Sequence, residues 1–247
     1  MFAVKSKFHQ SIWFAQKVSV WDLFRIVTYV AYKGDVKSVP FYFKKHKGNS
    51  CETDLTQEME AIFNAMRRDT RKRIRRAEKE GCTVEIVEDL GEYVDFHNSF
   101  CQKKGLDLFM SSEKLQRYGK LLITKSMHNG VVLSMLATVL DEQDRLAVSL
   151  LSASRRFESE IDRNMIGWGN RLLRIKTLEL LKQRGFSKYD WGGVCMDEND
   201  PRYSITDFKL SFGGVVIDSW ILESPAYVIC SKLRSFARRL FGRGHAE

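Results

Sequence analysis

The sequence predicts an α/β (α+β) fold in which one mixed β-sheet carries helices on both faces. Three observations predict it. Strand-like and helix-like segments alternate along the chain after residue 54. Two apolar runs, residues 130–140 and 145–155, are separated by the polar DEQD, which is typical of a β-hairpin. The most regular helical pattern, residues 170–185, is followed at once by the strand-like FSKYDWGG.

The remaining elements follow from the period of the apolar residues and from glycine stops. Residues 24–32 are strand-like, in an N-terminal part whose pattern is otherwise weak. Residues 54–81 place apolar side chains at a helical period and stop at Gly81, with a break expected near Asp69 and Thr70. Further along, the pattern predicts a strand (82–89), a helix (92–105), another helix (111–123), strands over 207–222 and a helix (226–241).

The stretch ITDFKLSFGG, residues 205–214, combines a two-residue period with a terminal diglycine. Phe208, Leu210 and Phe212 share one face of the predicted strand. Lys209 lies on the opposite, polar face. The two glycines indicate a bulge or a close approach of the backbone. The sequence therefore predicts a half-buried strand with one exposed lysine.

Composition narrows the class of partner. The chain has 247 residues, a hydrophobic content of 44% and a formal net charge of +9. Its length fits one large domain or two small ones. The positive charge indicates an anionic partner, for which nucleic acid, phosphorylated ligands and anionic lipid are the alternatives. Charge alone does not choose among them.

Cysteine usage and the apolar runs predict a cytoplasmic protein. The five cysteines are scattered and form no C-x-x-C motif. This pattern disfavours a zinc site or a disulfide framework and favours a reducing compartment. The longest nearly apolar run, residues 131–140, is well short of the roughly 20 residues that span a bilayer. No apolar segment follows the N-terminal lysines, so no signal peptide is predicted.

Eight cationic side chains occupy thirteen residues of the helix predicted over 54–81. They are Arg67, Arg68, Arg71, Lys72, Arg73, Arg75, Arg76 and Lys79. Such a concentration suits phosphate contacts, although a solvated helix face is an equally good interpretation. Because the run contains no base-reading motif, it indicates an anion and gives no reason to expect DNA.

The segment NMIGWGNRLL places glycines where the long helix is expected to begin. Asn164, Gly167 and Gly169 would leave backbone N–H groups open to a phosphate group of a ligand. The spacing resembles the Q/R-x-x-G-x-G/A acyl-CoA loop of GNAT acetyltransferases, with Asn164 in the place of Gln or Arg. The alternative is that the glycines turn the chain or make room for Trp168.

Three motifs in one order resemble the FemA/FemB/FemX-type transferases of the GNAT acyltransferase superfamily. The motifs are a helix R-x-x-I-R-x-A-x-x-x-G, a strand G-x-x-x-Y-D-x-G-G and a final F-K-x-x-F-G-G. The matching residues are Arg71, Ile74, Arg75, Ala77 and Gly81, then Gly185, Tyr189, Asp190, Gly192 and Gly193, and finally Phe208, Lys209, Phe212, Gly213 and Gly214. The resemblance covers residues 54–220 and implies a GNAT-like mixed sheet.

The resemblance also implies an activity. It implies transfer of an acyl or aminoacyl group to an amine of a cell-envelope precursor, either peptidoglycan or an amino sugar of a surface polysaccharide. The donor would be acyl-CoA or aminoacyl-tRNA, bound as a substrate, with no tightly bound cofactor and no metal. This chemistry needs a cation or a backbone N–H for the oxyanion, and a base or a water chain for the amine proton.

The resemblance assigns these roles to particular residues. Lys209, beside Phe208, is the implied cation that holds the anionic part of the donor; the alternative is a surface lysine on an edge strand. Asp190 is the first candidate base, because it precedes a diglycine at an apparent strand end; the alternative is a turn-forming Asp. Asp207 and Tyr203 are weaker candidates for the same proton transfer.

The pattern divides the chain into three parts. Residues 1–53 are N-terminal strands or a reduced remnant of a first GNAT-like unit, residues 54–223 are the transferase domain, and residues 224–247 are a basic amphipathic helix. No acid lies between Glu223 and Glu247. This helix suits peripheral contact with an anionic membrane carrying a lipid-linked acceptor, or else packing on the core. The rival hypothesis is a non-catalytic protein that binds RNA or a membrane through its basic helices.

Overall fold

The computed structural model describes residues 1–241, with side chains described through Phe236. The strands are β1 (Phe2–Lys5), β2 (Gln10–Trp13), β3 (Val27–Val30), β4 (Lys44–Asp54), β5 (Thr83–Ile86), β6 (Leu121–His128), β7 (Val131–Asp141), β8 (Leu146–Ser154), β9 (Lys188–Val194) and β10 (Val215–Glu223). The helices are α1 (Met59–Ala65), α2 (Arg68–Lys79), α3 (Leu90–Lys104), α4 (Ser112–Gln116), α5 (Arg163–Gln183), α6 (Tyr203–Leu210) and α7 (Pro225–Phe241). None of the helices in this described range has the length and apolar content needed to span a bilayer.

The chain divides into two compact units. We call residues 50–217 the central unit, and residues 1–49 together with 218–247 the terminal unit. The boundaries fall inside β4 and β10, so the terminal unit joins the two ends of the chain. Compactness alone does not test the linear division into residues 1–53, 54–223 and 224–247, which stays a prediction.

The central unit is built on a mixed sheet with the strand order β4-β9-β8-β7-β6-β5. Strands β5 to β8 are antiparallel neighbours, whereas β8 and β9 are parallel. A parallel pair needs a crossover connection, which α5 supplies between these two strands. The hairpin predicted from residues 130–155 is confirmed as β7 and β8.

Neighbouring residues of β6 show that helices cover both faces of this sheet. Leu122 packs in a core cluster with residues of α2 and α5, whereas Ile123 packs in a second cluster with residues of α3 and α4. Because successive side chains of a strand point to opposite faces, these two pairs of helices lie on opposite sides of the sheet. The predicted mixed sheet with helices on both faces is confirmed.

The terminal unit has the strand order β1-β2-β3-β10-β4 and a core rich in aromatic residues. Tyr29 and Tyr32 pack edge to face in this core, with ring centroids 6.2 Å apart. The Tyr29 hydroxyl donates to the buried carboxylate of Asp22 at 2.5 Å. The buried acid therefore has the hydrogen-bond partner that burial requires.

Two helix predictions need correction. The helix expected over 54–81 is interrupted at Met66 and Arg67, slightly before the predicted break, and forms α1 and α2. Residues 111–123 form only the short α4, after which β6 begins. The prediction of one helix there is wrong because residues 121–128 pair with β7 along their length, and such long-range pairing is not visible in local periodicity.

The predicted strand over residues 205–214 is also wrong, because this segment is a helix followed by a turn. α6 ends at Leu210, and β10 begins only at Val215. Phe208 and Phe212 are four residues apart, a spacing that suits one face of a helix as well as one face of a strand. Their rings meet edge to face with centroids 5.2 Å apart, so the helical arrangement joins them directly.

The diglycine after α6 brings the chain close to α1 and β4. Gly213 has a φ of +78°, and a Cβ there would lie 2.5 Å from the carbonyl oxygen of Ala65. A Cβ on Gly214 would lie 2.5 Å from the sulfur of Cys51. The predicted close approach of the backbone is therefore present, and its partners are the protein's own helix and strand.

Candidate active site

Strands β8 and β9 separate after a short parallel pairing. The pairing ends at Val148 and Asp190, although β8 continues to Ser154 and β9 to Val194 within the described chain. The register of β8 against β7 shifts at the same level, at Leu150. Strands that separate leave main-chain N–H and C=O groups outside the ladder, and a bulge redirects side chains there. This separation is a natural place for a ligand to meet the sheet.

Lys209 brings its ammonium group to this separation from α6. It donates to the carbonyl oxygen of Gly193 at 2.8 Å and lies 3.5 Å from the position of a Cβ on Gly192. The pKa of Lys209 is lowered to about 8, first by burial and then by the positive charge of Arg174, while Asp190 opposes the shift. Lys209 is thus a partly buried cation on a helix rather than an exposed lysine on a strand.

Arg174 of α5 is a second cation at the same place. It is only 7% exposed, and its Nη1 donates to the hydroxyl of Ser149 at 3.1 Å. Its Nε has no hydrogen-bond partner in the described part of the chain. Its partner is thus a neutral hydroxyl rather than a carboxylate. Because a buried charge is costly unless it is paired, two neighbouring cations here favour an anionic ligand.

Asp190 lies in the middle of β9 and is 2% exposed, so the prediction that it stands at a strand end and faces a cleft is wrong. Its Oδ1 accepts hydrogen bonds from the Ser50 hydroxyl at 2.6 Å and from the Gly192 N–H at 2.7 Å. The carboxylate thereby fixes the backbone of Gly192, which has a φ of +79°. Its negative charge also favours the protonated form of Lys209. A role as the base stays a prediction.

Cys51 is a thiol in the same electrostatic environment. Burial raises the pKa of this thiol to about 11, and the charge of Asp190 adds to the effect. Since the thiolate is the nucleophilic form, this pKa disfavours Cys51 as a nucleophile at neutral pH. Among the residues that the structure describes, no group of three or more His, Cys, Asp or Glu side chains is placed to hold a metal ion.

An aromatic stack holds α6 against the sheet. Phe212 stacks on Trp191 of β9 with ring centroids 4.8 Å apart, and Phe208 meets the edge of Phe212. The indole N–H of Trp191 donates to the hydroxyl of Thr53 at 2.8 Å. The phenylalanines of the F-K-x-x-F motif therefore anchor the helix, which leaves the lysine between them free to reach β9.

Guanidinium groups of α2 and α5 gather beside α6. Arg171 lies over the ring of Phe208 at 5.2 Å, and its pKa is lowered by burial and then by the charge of Arg73. Arg67 forms an ion pair of 2.5 Å with Asp207 of α6. We call Arg67, Arg73 and Arg171 the arginine cluster. Its first two members belong to the basic run, so part of that run lies next to the helix that carries Lys209. The cluster suits contacts with phosphate groups.

Asp207 and Tyr203, the further candidates for proton transfer, lie on another side of α6 from Lys209. Residues two positions apart on a helix do not face each other, and Asp207 and Tyr203, four apart, share a side. Asp207 is engaged by Arg67, and the Tyr203 hydroxyl donates to Glu198 at 3.3 Å. The charge of this glutamate raises the pKa of Tyr203. Their catalytic roles stay predictions.

Asn164 lies in the first turn of α5, whereas Gly167 and Gly169 lie further inside it, because the helix begins at Arg163 rather than near residue 170. The carboxylate of Asp162 accepts from the Asn164 N–H at 2.9 Å and caps the helix where a phosphate was expected. A Cβ on Gly169 would lie 2.6 Å from Leu133, so close packing explains this glycine. Any contact between these residues and the donor stays a prediction.

Arg174 and its partner Ser149 are not among the site residues that the sequence predicts. Residues 172–175 of α5, LLRI, are all buried, so this arginine interrupts an otherwise apolar run. Arginine is almost never buried without a specific partner or function. A charged residue at the centre of the most regular apolar helix was therefore the feature that could have identified it.

Solved structures identify the fold. A C-terminal domain (DUF2156) assigned to a lysylphosphatidylglycerol synthetase from Agrobacterium fabrum matches with a TM-score of 0.65 at 13% identity, over 96% of this chain and 84% of that chain. FemX matches with a TM-score of 0.64 at 13% identity, over 85% of this chain and 74% of that chain. The chain has a FemX-like fold. The lysylphosphatidylglycerol synthetase L-PGS from Bacillus licheniformis shares it, with a TM-score of 0.58 at 12% identity over 96% and 84% of the two chains.

The FemX-like fold confirms the architecture that the three sequence motifs imply. At these identities the likeness concerns the fold alone. No protein-family model matches the sequence, and no curated protein matches it either. The activity of this chain must therefore be argued from its own site.

Proposed function

We propose that this chain is an acyltransferase that moves an acyl or aminoacyl group to an amine of a cell-envelope precursor, either peptidoglycan or an amino sugar of a surface polysaccharide. The donor is acyl-CoA or aminoacyl-tRNA, bound as a substrate. The observation that carries the proposal is the convergence of Lys209 and Arg174 where β8 and β9 separate. Two structural neighbours are named for lysylphosphatidylglycerol, an aminoacyl-bearing lipid, which favours an aminoacyl donor.

Both cations keep hydrogen-bond donors for a ligand. An ammonium group has more N–H donors than the single one that Lys209 uses on Gly193. A guanidinium likewise has more than the one that Arg174 uses on Ser149. Because neither cation has to leave its present partner, the site is pre-organised for an oxyanion and needs little rearrangement when charge develops.

In the proposed reaction the amine nitrogen of the acceptor attacks the carbonyl carbon of the donor, and a C–N bond forms. The carbonyl oxygen becomes an oxyanion, which Lys209 and Arg174 stabilise by charge and by N–H donation. Collapse of this intermediate breaks the C–O bond of an aminoacyl ester or the C–S bond of an acyl thioester. The amine proton passes to the leaving oxygen or sulfur, directly or through a base or solvent.

The arginine cluster supports a donor that carries phosphate groups. The pKa of Arg171 is lowered first by burial and then by the charge of Arg73, and a phosphate beside the two guanidinium groups would relieve both effects. Aminoacyl-tRNA carries a phosphodiester next to its acyl-bearing ribose, whereas acyl-CoA carries its phosphates at the other end of the pantetheine arm from the thioester. The cluster lies beside α6, so the same donor would reach Lys209 with its acyl carbon.

The rival hypothesis of a non-catalytic RNA-binding protein has less support. The central unit holds 26 of the 40 Lys and Arg residues and 26 of the 31 Asp and Glu residues, so its formal charge is zero. The cations of α2 are thus offset within their own unit, so their number alone does not favour a purely RNA-binding role. A protein of that kind would also have no need of two cations that meet where β8 and β9 separate.

A transfer assay with both donor classes tests the proposal. The purified chain is incubated with aminoacyl-tRNA or acyl-CoA and with a peptidoglycan precursor or an amino sugar, and the acylated acceptor is measured by mass spectrometry. We expect product with one donor class. Lys209→Ala should lower the rate by about 10²–10³-fold, as the loss of an oxyanion-stabilising group does.

Lys188→Ala is the matched control, since Lys188 is an exposed lysine of β9. It should leave the rate unchanged. The proposal is refuted if neither donor binds or reacts with any acceptor, or if the two lysine variants have equal rates.

A further inference from the structure

The terminal unit carries the whole formal charge of the protein. It holds 14 of the 40 Lys and Arg residues but only 5 of the 31 Asp and Glu residues, which gives +9, the value for the complete chain. The central unit is formally neutral. A net charge of this size on a small unit produces a long-range electrostatic attraction to anionic surfaces. An anionic partner outside the active site is therefore to be sought at the terminal unit.

Helix α7 exposes a stripe of apolar side chains to solvent. Ile229, Leu233 and Phe236 are 59%, 61% and 61% exposed, and their spacing places them on one side of the helix. We call these three residues the α7 stripe. Amphipathic helices of globular proteins ordinarily face such a stripe toward the core. Here the stripe faces outward, and the described part of the chain leaves it exposed.

The opposite side of α7 contacts the terminal unit. The ring of Tyr227 lies 5.0 Å from the ring of His9. Arg234, on the same side of the helix seven residues later, is close enough for its charge to lower the pKa of His9 in addition to burial. The helix thus contacts the terminal unit through Tyr227, and the exposed Arg234 lies on the same side of the helix. This attachment leaves the α7 stripe free.

Exposed aromatic residues flank the segments that hold α7. Phe24 is 78% exposed and neighbours Arg25, whose carbonyl oxygen accepts from Ser224 at the start of α7. Phe8 is 63% exposed and neighbours His9, whose ring contacts Tyr227 of α7. Exposed aromatic side chains beside cations are typical of proteins that lie at a membrane interface.

We propose that the terminal unit binds the surface of an anionic lipid membrane, with the α7 stripe inserted at the level of the headgroups. Lipid matches both features of this surface, because its acyl boundary accepts the stripe and its headgroups neutralise the charge of +9. Nucleic acid would match the charge but not the stripe. A second protein chain would match the stripe but would not require the accumulated charge. The proposal does not depend on the transferase activity.

Co-sedimentation of the full chain with vesicles tests the proposal. Vesicles of phosphatidylcholine alone are compared with vesicles that also contain phosphatidylglycerol, at low and high salt. We expect binding to the anionic vesicles that weakens as salt is raised. Leu233→Glu/Phe236→Glu should weaken this binding at least tenfold, because two carboxylates then replace apolar groups on the inserted side.

Ser231→Glu/Ser235→Glu is the matched control, since it adds the same two charges to the other side of the same helix. It should bind anionic vesicles much better than the stripe variant, and both variants should keep the thermal midpoint of the parent. Equal binding by the two variants, or no binding of the parent to anionic vesicles, overturns the proposal. So does a parent dimer that only the stripe variant dissociates, because the stripe would then be an interface between copies.

Discussion

At the scale of the residue, the charge of Lys209 should control the reaction. With a pKa of about 8, the ammonium form dominates below pH 8 and is lost above it. If the cation stabilises the oxyanion, its contribution to the rate falls as the pH rises through about 8. Lys209→Arg keeps a charge at every accessible pH and should show a lower rate without this fall.

The measurement is kcat/KM of both proteins between pH 6.5 and 9.5, a range chosen to bracket a pKa of about 8. Ionisation of the acceptor amine affects the two proteins equally, so the ratio of parent to variant isolates Lys209. We expect this ratio to decrease with pH. A ratio that increases with pH would mean that the neutral amine of Lys209 acts as a base instead.

The same lysine should reduce the stability of the fold. The pKa of Lys209 is about 8 in the folded protein and about 10.4 in an unfolded chain, so folding at pH 7 carries the cost of burying a charge. Lys209→Met keeps the packing volume and removes that cost. It should raise the free energy of unfolding by about 1–2 kcal/mol at pH 7, after the lost hydrogen bond to Gly193 is subtracted.

This gain has a defined dependence on pH. Between about pH 8 and pH 10 the unfolded parent binds more protons than the folded parent, so the parent is stabilised as the pH rises and the advantage of the variant shrinks. Urea unfolding at pH 7 and pH 9.5 measures the effect, with Lys188→Met as the exposed control. A loss of stability at pH 7 would show that the lysine serves the fold rather than the reaction.

At the scale of the element, the turn between α6 and β10 depends on the space at Gly213. Its φ is +78°, and a Cβ would lie 2.5 Å from the carbonyl oxygen of Ala65. Gly81 has the same φ of +78°, but no atom lies within 4 Å of its Cβ position. The two positions therefore share the backbone strain and differ only in the steric clash.

Gly213→Ala should lower the free energy of unfolding by about 2–4 kcal/mol, whereas Gly81→Ala should cost only the backbone strain of about 1 kcal/mol. Equilibrium unfolding of both variants gives the difference. Because the turn positions α6, Gly213→Ala should also lower the transfer rate more than Gly81→Ala does. Equal losses of stability would mean that the contact with α1 is unimportant.

The sequence pattern correctly predicted those elements whose formation depends on neighbouring residues. The helix over 170–185, the hairpin of β7 and β8 and the stop at Gly105 all depend on periodicity or on a positive φ, and each is present. α6 was mispredicted because an eight-residue helix has too few turns to show its period, and stacking on Trp191 holds it. The burial of Arg174 could be predicted from its place in the apolar run LLRI. Its closeness to Lys209 could not, because it depends on how α5 and α6 pack on the sheet.

At the scale of the whole molecule, the two units differ in charge and in the kind of surface that they offer. The sequence has a net charge of +9, and this charge is assigned to one unit only when the two ends of the chain are joined in it. The basic run of α2 is the densest group of cations, yet it lies in the neutral unit. Only the fold shows that the net charge belongs to the terminal unit, which contains α7. Lys209 and Arg174 belong to the neutral central unit.

The last prediction follows from this division. Residues 231–236 of α7 are all exposed, so these six residues contribute little burial to the fold. A chain that ends after Cys230 should lose binding to anionic vesicles but keep its thermal midpoint within about 2 °C, because little apolar area is removed from the core. Its affinity for the donor should also be kept, since the donor-binding residues proposed above lie in the central unit. A large fall in the thermal midpoint would instead support the alternative that this helix packs on the core, and vesicle binding would then have to be retested with point variants alone.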